Sequence, residues 1–287
     1  MKISKECYLC IYNQVFNITE RLNLDEETSS LVLREGARKL ALYDLSFEPP
    51  IIASDIYESV AEIVKKRDLF EKEKKEAIKE ALKLKPLLKK RLSKSKDKLY
   101  DACRVAVAGN VIDLGVNQEY DLQKEIKRIF EMHFYKNDYP MLKDKILKAK
   151  EIAYLADNAG ENVFDEILIE VIKEFNPDVK IYYVVRGKPI INDVTVDDLK
   201  GLEIFKLAEI IDSGVDTPGF CLSKANEKSK NIFYNSDLVI SKGMGNFECL
   251  FGEYKREVFY LFKVKCDVVA RACGAVKNEY MLFKGIK

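Results

Sequence analysis

The stretch that decides the fold reads IAYLADNAGENVFD and covers residues 152–165. Its first four residues predict a short buried strand, Gly160 predicts a turn, and the residues after it predict a helix that ends at Phe175. Similar alternation continues along the chain, and further strands are predicted at 180–185, 202–207, 238–240 and 258–264. The sequence therefore predicts an α/β fold of the Rossmann-like kind, in which a mostly parallel sheet carries helices on both faces.

The residues that precede this stretch predict helices. Apolar residues recur at spacings of three and four until the pair Pro49-Pro50 interrupts the pattern. A highly charged run follows, and it predicts a solvated pair of helices that is broken near Pro86. We therefore expect an N-terminal all-helical region, residues 1–147, packed on an α/β domain, residues 148–287.

The composition excludes several classes of protein. The chain has 48 Lys and Arg residues against 47 Asp and Glu residues, which argues against a nucleic-acid binder that works by bulk charge. The single histidine, His133, excludes zinc sites built on paired histidines, and we expect it to be a packed helix residue. No apolar stretch is long enough for a signal peptide or a membrane span, so we expect a cytoplasmic protein with no membrane partner. The lack of tryptophan and the abundance of Lys and Glu are typical of hyperthermophiles.

Polar residues follow four of the predicted strands, at the point where each strand ends. They include Asp157, Asn158, Arg186, Asp193, Ser213, Lys242 and Gly243. Because ligands bind at the carboxyl ends of the strands in open α/β sheets, we expect these residues to surround one ligand. Oxygen donors without histidine suit magnesium or manganese, and Lys242 and Arg186 would balance an anionic substrate. The pattern indicates a metal-dependent phosphoryl site.

These runs resemble the signature of the damage-control phosphatases, formerly the domain-of-unknown-function-89 family. The resemblance lies in residues 157–165, 191–195 and 241–248, and it extends to the run AGNVID at 108–113. The N-terminal CYLC, which begins at Cys7, is similar to the archaeal-type branch of the family. The resemblance covers most of the chain, and it implies a phosphatase that hydrolyses phosphate monoesters of small metabolites, such as sugar phosphates or nucleotides, with a divalent metal.

The resemblance also implies which residues form the site. The metal, which would be Mn²⁺, Mg²⁺, Co²⁺ or Ni²⁺, would bind to Asp157, Asn158 and Asp193. Lys242 would bind the phosphate, and we expect Asn110, Gly243, Arg186 and Ser213 to contact the substrate as well. We expect Asp157 to act in catalysis together with a base, either Asp113 or Glu161, while the nucleophile is a metal-bound water or a carboxylate.

Asn110 and Asp113 belong to the helical region, and their spacing places them on one face of a helix. If they serve the same site as the strand ends, the active site is a cleft between the helical region and the edge of the sheet. The expected partner is a small phosphorylated metabolite, whereas the sequence leaves the oligomeric state open.

Two other functions remain open at this stage. The chain could be a non-catalytic metabolite- or nucleotide-binding protein that keeps the pocket. A methyltransferase is a weaker alternative, because Asp157-Asn158 stands where a Gly-rich adenosylmethionine loop would follow the first strand. The Cys7 and Cys10 thiols are predicted to be a structural pair, with a metal site or a redox pair as alternatives.

Overall fold

The computed structural model describes residues 1–109 and 119–285. Its helices in the first part are α1 (Lys5–Arg21), α2 (Glu26–Leu40), α3 (Pro49–Val64), α4 (Glu71–Leu92), α5 (Lys98–Ala108), α6 (Glu119–Glu131) and α7 (Tyr139–Lys148). The later helices are α8 (Glu161–Phe175), α9 (Ile204–Leu207), α10 (Glu227–Asn235), α11 (Met244–Leu250) and α12 (Asp267–Cys273). None of the helices in these described ranges is both long and apolar enough to cross a membrane.

Among the described residues, seven strands form one sheet. They are β1 (Phe134–Asn137), β2 (Glu151–Leu155), β3 (Lys180–Val185), β4 (Glu209–Asp212), β5 (Leu238–Lys242), β6 (Val258–Lys263) and β7 (Tyr280–Gly285). Their order across the sheet is β1-β7-β6-β5-β2-β3-β4, and every neighbouring pair is parallel except β6 and β7. This confirms the predicted mostly parallel α/β fold, and it places β2 inside the sheet, between β5 and β3.

Helices cover both faces of the sheet, and each face has its own apolar core. One core contains α8, which packs against α4 and α5 and buries Phe164 and Ile167 beside the strands. The opposite core contains Phe233 on α10, Phe247 on α11 and Phe220 in the loop before α10. A third cluster lies within α1, α2 and α3, and α3 in turn contacts α11. The first three helices therefore lie on the sheet side that carries α11, close to the carboxyl ends of the strands.

The structure corrects the sequence prediction around residues 202–207. The sequence predicts a strand here, but the last four residues of the run form the short helix α9, and the strand β4 begins at Glu209. The reason is local: the Glu166 carboxylate accepts a hydrogen bond from the backbone N–H of Ile204 at 3.0 Å, and the Ile204 side chain is buried. A short buried helix and a buried strand can have the same apolar pattern, and here the contact with Glu166 decides in favour of the helix.

Three expectations for the first half are also wrong in detail. Helix α4 continues through Pro86, because Lys85 on its buried face forms an ion pair with Glu166 and this docking offsets the cost of an interior proline. Strand β1 lies within the region expected to be all helical, where its backbone pairs with β7 at the edge of the sheet. His133 is exposed between α6 and β1, and is not a packed helix residue.

Candidate active site

The loops that follow β2 and β3 pair with each other beyond the edge of the sheet. The backbone N–H of Val194 donates to the carbonyl oxygen of Asp157 at 2.9 Å, and an isolated β-bridge joins Asn158 to Asp193. Because β2 and β3 are parallel neighbours, their carboxyl ends meet here, and the bridge holds the two loops in register. The three residues predicted from the sequence as metal ligands, Asp157, Asn158 and Asp193, therefore lie side by side.

The side chain of Asn158 has a defined orientation. Its amide nitrogen Nδ2 donates to Asp157 Oδ2 at 2.8 Å and to Glu161 Oε1 at 2.7 Å. Both hydrogens of the amide are therefore used by carboxylates, and its carbonyl oxygen Oδ1 is the atom that Asn158 can offer to a cation.

Asp193 is held by an enclosed arginine. Arg186 Nε donates to Asp193 Oδ2 at 2.7 Å, and Arg186 Nη2 donates to Asn246 Oδ1 at 2.9 Å. Arg186 is only 1% exposed, and it does not line the cavity described below. The structure thus makes Arg186 a partner of Asp193, and does not place it where a substrate would contact it.

Lys242 is also enclosed. Its ammonium donates to Ala106 O at 2.6 Å, to Asp165 Oδ1 at 2.8 Å and to Glu161 Oε2 at 3.2 Å, and the residue is 0% exposed. Burial lowers the pKa of Lys242, but the charges of Asp165 and Glu161 outweigh burial and keep the pKa above its ordinary value. The ammonium is therefore charged, and the structure does not bring it to the cavity wall.

Gly243 begins the turn from β5 into α11 with φ of 80° and ψ of 161°, a conformation that favours glycine. A Cβ atom at this position would lie 2.0 Å from Asp157 Oδ2. The glycine is therefore required for the close packing of the backbone against the Asp157 carboxylate. The sequence predicted a substrate contact for Gly243, whereas in the structure it packs behind the Asp157 carboxylate and does not line the cavity described below.

Burial brings the pKa values of two carboxylates of this region close to neutral pH. Burial, followed by the charge of Asp193, raises the pKa of Asp157 to about 6, and burial raises the pKa of Glu161 to about 7. Burial also raises the pKa of Asp193 above its ordinary value, although Arg186 opposes this shift. Burial therefore disfavours the charged form of each carboxylate, and a bound cation would favour it.

A cavity of about 450 Å³ opens in front of Asp157, Asn158 and Asp193. The helical part contributes one wall, from Cys7 to Gln14 on α1 and from Pro49 to Ala53 on α3. The strand ends and the start of α12 contribute the other walls. The cavity therefore lies between the helical part and the carboxyl edge of the sheet, as a ligand site shared by both would require.

Sequence reasoning assigned no role to several charged residues that line this cavity, Lys265 and Glu248 among them. Lys265 follows β6, and its charge lowers the pKa values of Asp157, Asp193 and Glu248. Glu248 lies on α11, and burial raises its pKa to about 7. Lys265 could have been found by the rule that pointed to the other loops, because it also follows the carboxyl end of a parallel strand.

The remaining predicted contacts have different positions. Ser213 is fully buried, and its hydroxyl accepts a hydrogen bond from the backbone N–H of Val215 at 3.2 Å, away from the cavity. Asn110 and Asp113 lie outside the described residues. The neighbouring Gly109 contacts Glu161 so closely that a Cβ at position 109 would lie 2.5 Å from Glu161 Cγ.

The cysteines take two forms. Cys7 and Cys10 carry free thiols and line the cavity together with Cys266. Within the described residues, no three His, Cys, Asp or Glu side chains come together as a group that could hold a metal ion. A disulfide joins Cys221 to Cys249, a pair that sequence reasoning did not single out.

Comparison with known proteins gives the same family across the whole chain. The family model described as the damage-control phosphatase ARMT1-like domain matches residues 3–281. A protein of Pyrococcus horikoshii named as a damage-control phosphatase is 33% identical over 286 residues, which cover 99% of this chain and 98% of that protein. A damage-control phosphatase of Archaeoglobus fulgidus is 31% identical and covers 96% of both chains. The crystal structure of a DUF89 family protein from Pyrococcus horikoshii superimposes with a TM-score of 0.92 at 32% identity, and it covers 99% of each chain. The chain therefore belongs to the family of the damage-control phosphatase ARMT1-like domain.

Proposed function

We propose that this protein is a metal-dependent phosphatase that hydrolyses phosphate monoesters of small metabolites, such as sugar phosphates or nucleotides. The observation that carries the proposal is the juxtaposition of Asp157, Asn158 and Asp193 on the wall of one cavity. The names of the relatives, which are damage-control phosphatases, support the same reaction class.

The donor set fits a hard divalent cation. It consists of two carboxylates and one amide oxygen, and oxygen ligands of this kind suit Mg²⁺ or Mn²⁺ while leaving positions for water and phosphate. Two members of this donor set, Asp157 and Asp193, are acidic. The third is Asn158, whose amide nitrogen donates to Asp157 and Glu161 and leaves its oxygen for the cation. When bound, the cation would polarise a phosphoryl oxygen and lower the pKa of an attacking water.

The residues of the chain would perform the remaining steps. Lys265 lines the cavity and would bind the phosphate, while the enclosed Lys242 keeps Glu161 in place. A carboxylate with a pKa near 7 is suited to accept a proton at neutral pH, and Glu161 and Glu248 both meet this condition. Glu248 lines the cavity, whereas Glu161 is enclosed behind Asn158. Asp113, the other predicted base, lies outside the described residues.

The size and composition of the cavity favour a small substrate. Its volume of about 450 Å³ falls in the range of small-molecule sites. The wall contributed by the helices includes an apolar part, formed by Ile11, Pro49 and Pro50, whereas Asp157, Asp193 and Lys265 lie on the wall formed by the strand ends. A phosphate at the charged wall would therefore place the organic part of the ester against α1 and α3.

The test is phosphate release from a panel of sugar phosphates and nucleotides, with Mn²⁺, Mg²⁺, Co²⁺ or Ni²⁺ and after removal of metal by a chelator. Asp157→Asn and Asp193→Asn should abolish the metal-dependent release, because each removes a charged ligand with little change in shape. Asp178→Asn is the matched control, since Asp178 is exposed and distant from the cavity wall. Metabolite binding without phosphate release under any metal would refute the proposal in favour of a binding protein.

A further inference from the structure

We propose that three buried residues, Tyr154, Asp165 and Tyr183, act as a positioning unit for the candidate active site. The unit holds the Lys242 ammonium against the carboxylate of Glu161, and this in turn fixes the side chains that would bind the metal. The inference deepens the proposed function and rests on it, because it assigns a role within that same site.

The unit is defined by two tyrosines on neighbouring strands. Tyr154 on β2 and Tyr183 on β3 are register partners, and their stacked rings have centroids 5.5 Å apart. The Tyr154 hydroxyl donates to Asp165 Oδ1 at 2.6 Å, and the Tyr183 hydroxyl donates to Asp165 Oδ2 at 2.8 Å. All three residues are 0% exposed. Each carboxylate oxygen of Asp165 is therefore anchored by a hydroxyl that the sheet holds in place.

Asp165 in turn fixes the position of the Lys242 ammonium. The ammonium has three N–H donors, and the structure gives them three acceptors: Asp165, Glu161 and the carbonyl oxygen of Ala106. Because every donor has an acceptor, the ammonium group has little freedom to rotate. Asp165 thus determines where the charge of Lys242 lies relative to Glu161.

Glu161 connects Lys242 to the predicted metal ligands. Its Oε2 accepts from Lys242, and its Oε1 accepts from the amide of Asn158, which also donates to Asp157. A continuous series of hydrogen bonds therefore leads from the tyrosine hydroxyls to the Asp157 carboxylate. It also sets the amide orientation that presents the oxygen of Asn158.

Packing alone does not account for this arrangement. A buried ion pair adds little stability compared with apolar residues of the same size, because taking two charges out of water is costly. The tyrosine rings already fill the space between the sheet and α8, and phenylalanine would fill it equally well. What the hydroxyls and the Asp165–Lys242 pair add is a fixed geometry, and residues that support metal ligands in this way tune both metal affinity and activity.

The experiment removes the two hydroxyls and keeps the rings. Tyr154→Phe, Tyr183→Phe and the double variant are compared with Tyr182→Phe, whose hydroxyl donates to Glu151 outside the unit. Two experiments are done on each variant. The first measures Mn²⁺ affinity without substrate, from the EPR signal of free Mn²⁺, and the second measures steady-state kcat and KM for a phosphate ester. We expect the double variant to lose about tenfold in Mn²⁺ affinity and about tenfold in kcat. KM should stay within about twofold, because the expected phosphate contact, Lys265, is outside the unit.

Each outcome decides the inference. Wild-type Mn²⁺ affinity and kcat in a double variant with a lower melting temperature would show a purely structural role and overturn it. If the wild-type protein releases no phosphate from any ester, the proposed function fails, and the Mn²⁺ titration alone then supports or overturns the positioning role. If the double variant does not fold, the two single variants give the same comparison, with a smaller loss expected in each. Any loss that Tyr182→Phe shares equally would also contradict the inference.

Discussion

Replacing Gly243 with alanine tests whether the close packing behind Asp157 is needed for activity. A Cβ at position 243 would lie 2.0 Å from Asp157 Oδ2, and contacts of this kind below 3.0 Å are essentially never observed. The carboxylate must therefore retreat by at least 1.0 Å, or the turn must move by a similar amount. A displacement of this size at a reacting centre costs about 100-fold in rate.

Alanine at this position also imposes a backbone cost. The conformation at Gly243, with φ of 80°, is one that a residue with a Cβ rarely adopts, and its cost is about 1–3 kcal/mol of stability. Gly201 provides the matched control, because its φ is 82° and a Cβ there would meet nothing within 4 Å. Gly201→Ala therefore pays a backbone cost without a clash, and it should keep full activity.

The assay combines thermal unfolding with Mn²⁺ affinity and kcat, all measured on both variants. Gly243→Ala should lose about 100-fold in kcat and should bind Mn²⁺ more weakly, at temperatures where it is fully folded. Gly201→Ala should lose about 1 kcal/mol of stability and neither of the other properties. If Gly243→Ala kept kcat and Mn²⁺ affinity within about twofold of Gly201→Ala, the Asp157 carboxylate would not be where the reasoning requires it.

Three further predictions concern the rest of the molecule. The Cys221–Cys249 disulfide spans 28 residues, so its reduction should lower the free energy of unfolding by about 3.5 kcal/mol. Equal urea midpoints with and without dithiothreitol would contradict this. Lys265→Ala should raise KM for phosphate esters about tenfold with little change in kcat, and an unchanged KM would remove it from the phosphate site. Lys85→Met should cost about 3–5 kcal/mol, because Glu166 would remain buried without its partner. The pKa of Glu166 is already raised by burial above 4.5. A raised pKa means that stability falls as pH rises, so denaturant titrations should show a larger loss for the Lys85 variant at mildly alkaline pH than at mildly acidic pH.

The sequence predicted the central part of the fold and the loops of the site for a clear physical reason. A buried parallel strand is a continuous apolar run, and the polar residue that follows it must leave the core at the carboxyl edge. This is why β2 and the position of Asp157 and Asn158 could be read from residues 152–165. The same reasoning failed at residues 202–207, where a short apolar run carries no information about its own geometry.

The sequence did not predict the direction in which each charged side chain points. Lys242 and Arg186 follow strands just as Asp157 does, and the sequence pattern predicted that all three would face the ligand. In the structure both cations are enclosed, because buried carboxylates on α8 and in the β3 loop accept their hydrogen bonds. Those partners are 77 and 7 residues away in the sequence, and only the packing of α8 on the sheet brings the first pair together.

The enclosed charges also explain why this site would attract a divalent cation. Four buried carboxylates lie in this region, those of Asp157, Glu161, Asp165 and Asp193. Lys242 pairs with Glu161 and Asp165, and Arg186 pairs with Asp193. These six groups have two negative charges in excess when all of them are ionised. Asp157 and Asp193 line the cavity, whereas Lys242 and Arg186 are buried and do not, so the cavity is bordered by the negative members of this group. The single positive charge of the Lys265 side chain would balance half of this excess, whereas one divalent cation would balance all of it. Burial is the main cause of the raised pKa values of Asp157 and Glu161, and neighbouring carboxylates raise them further.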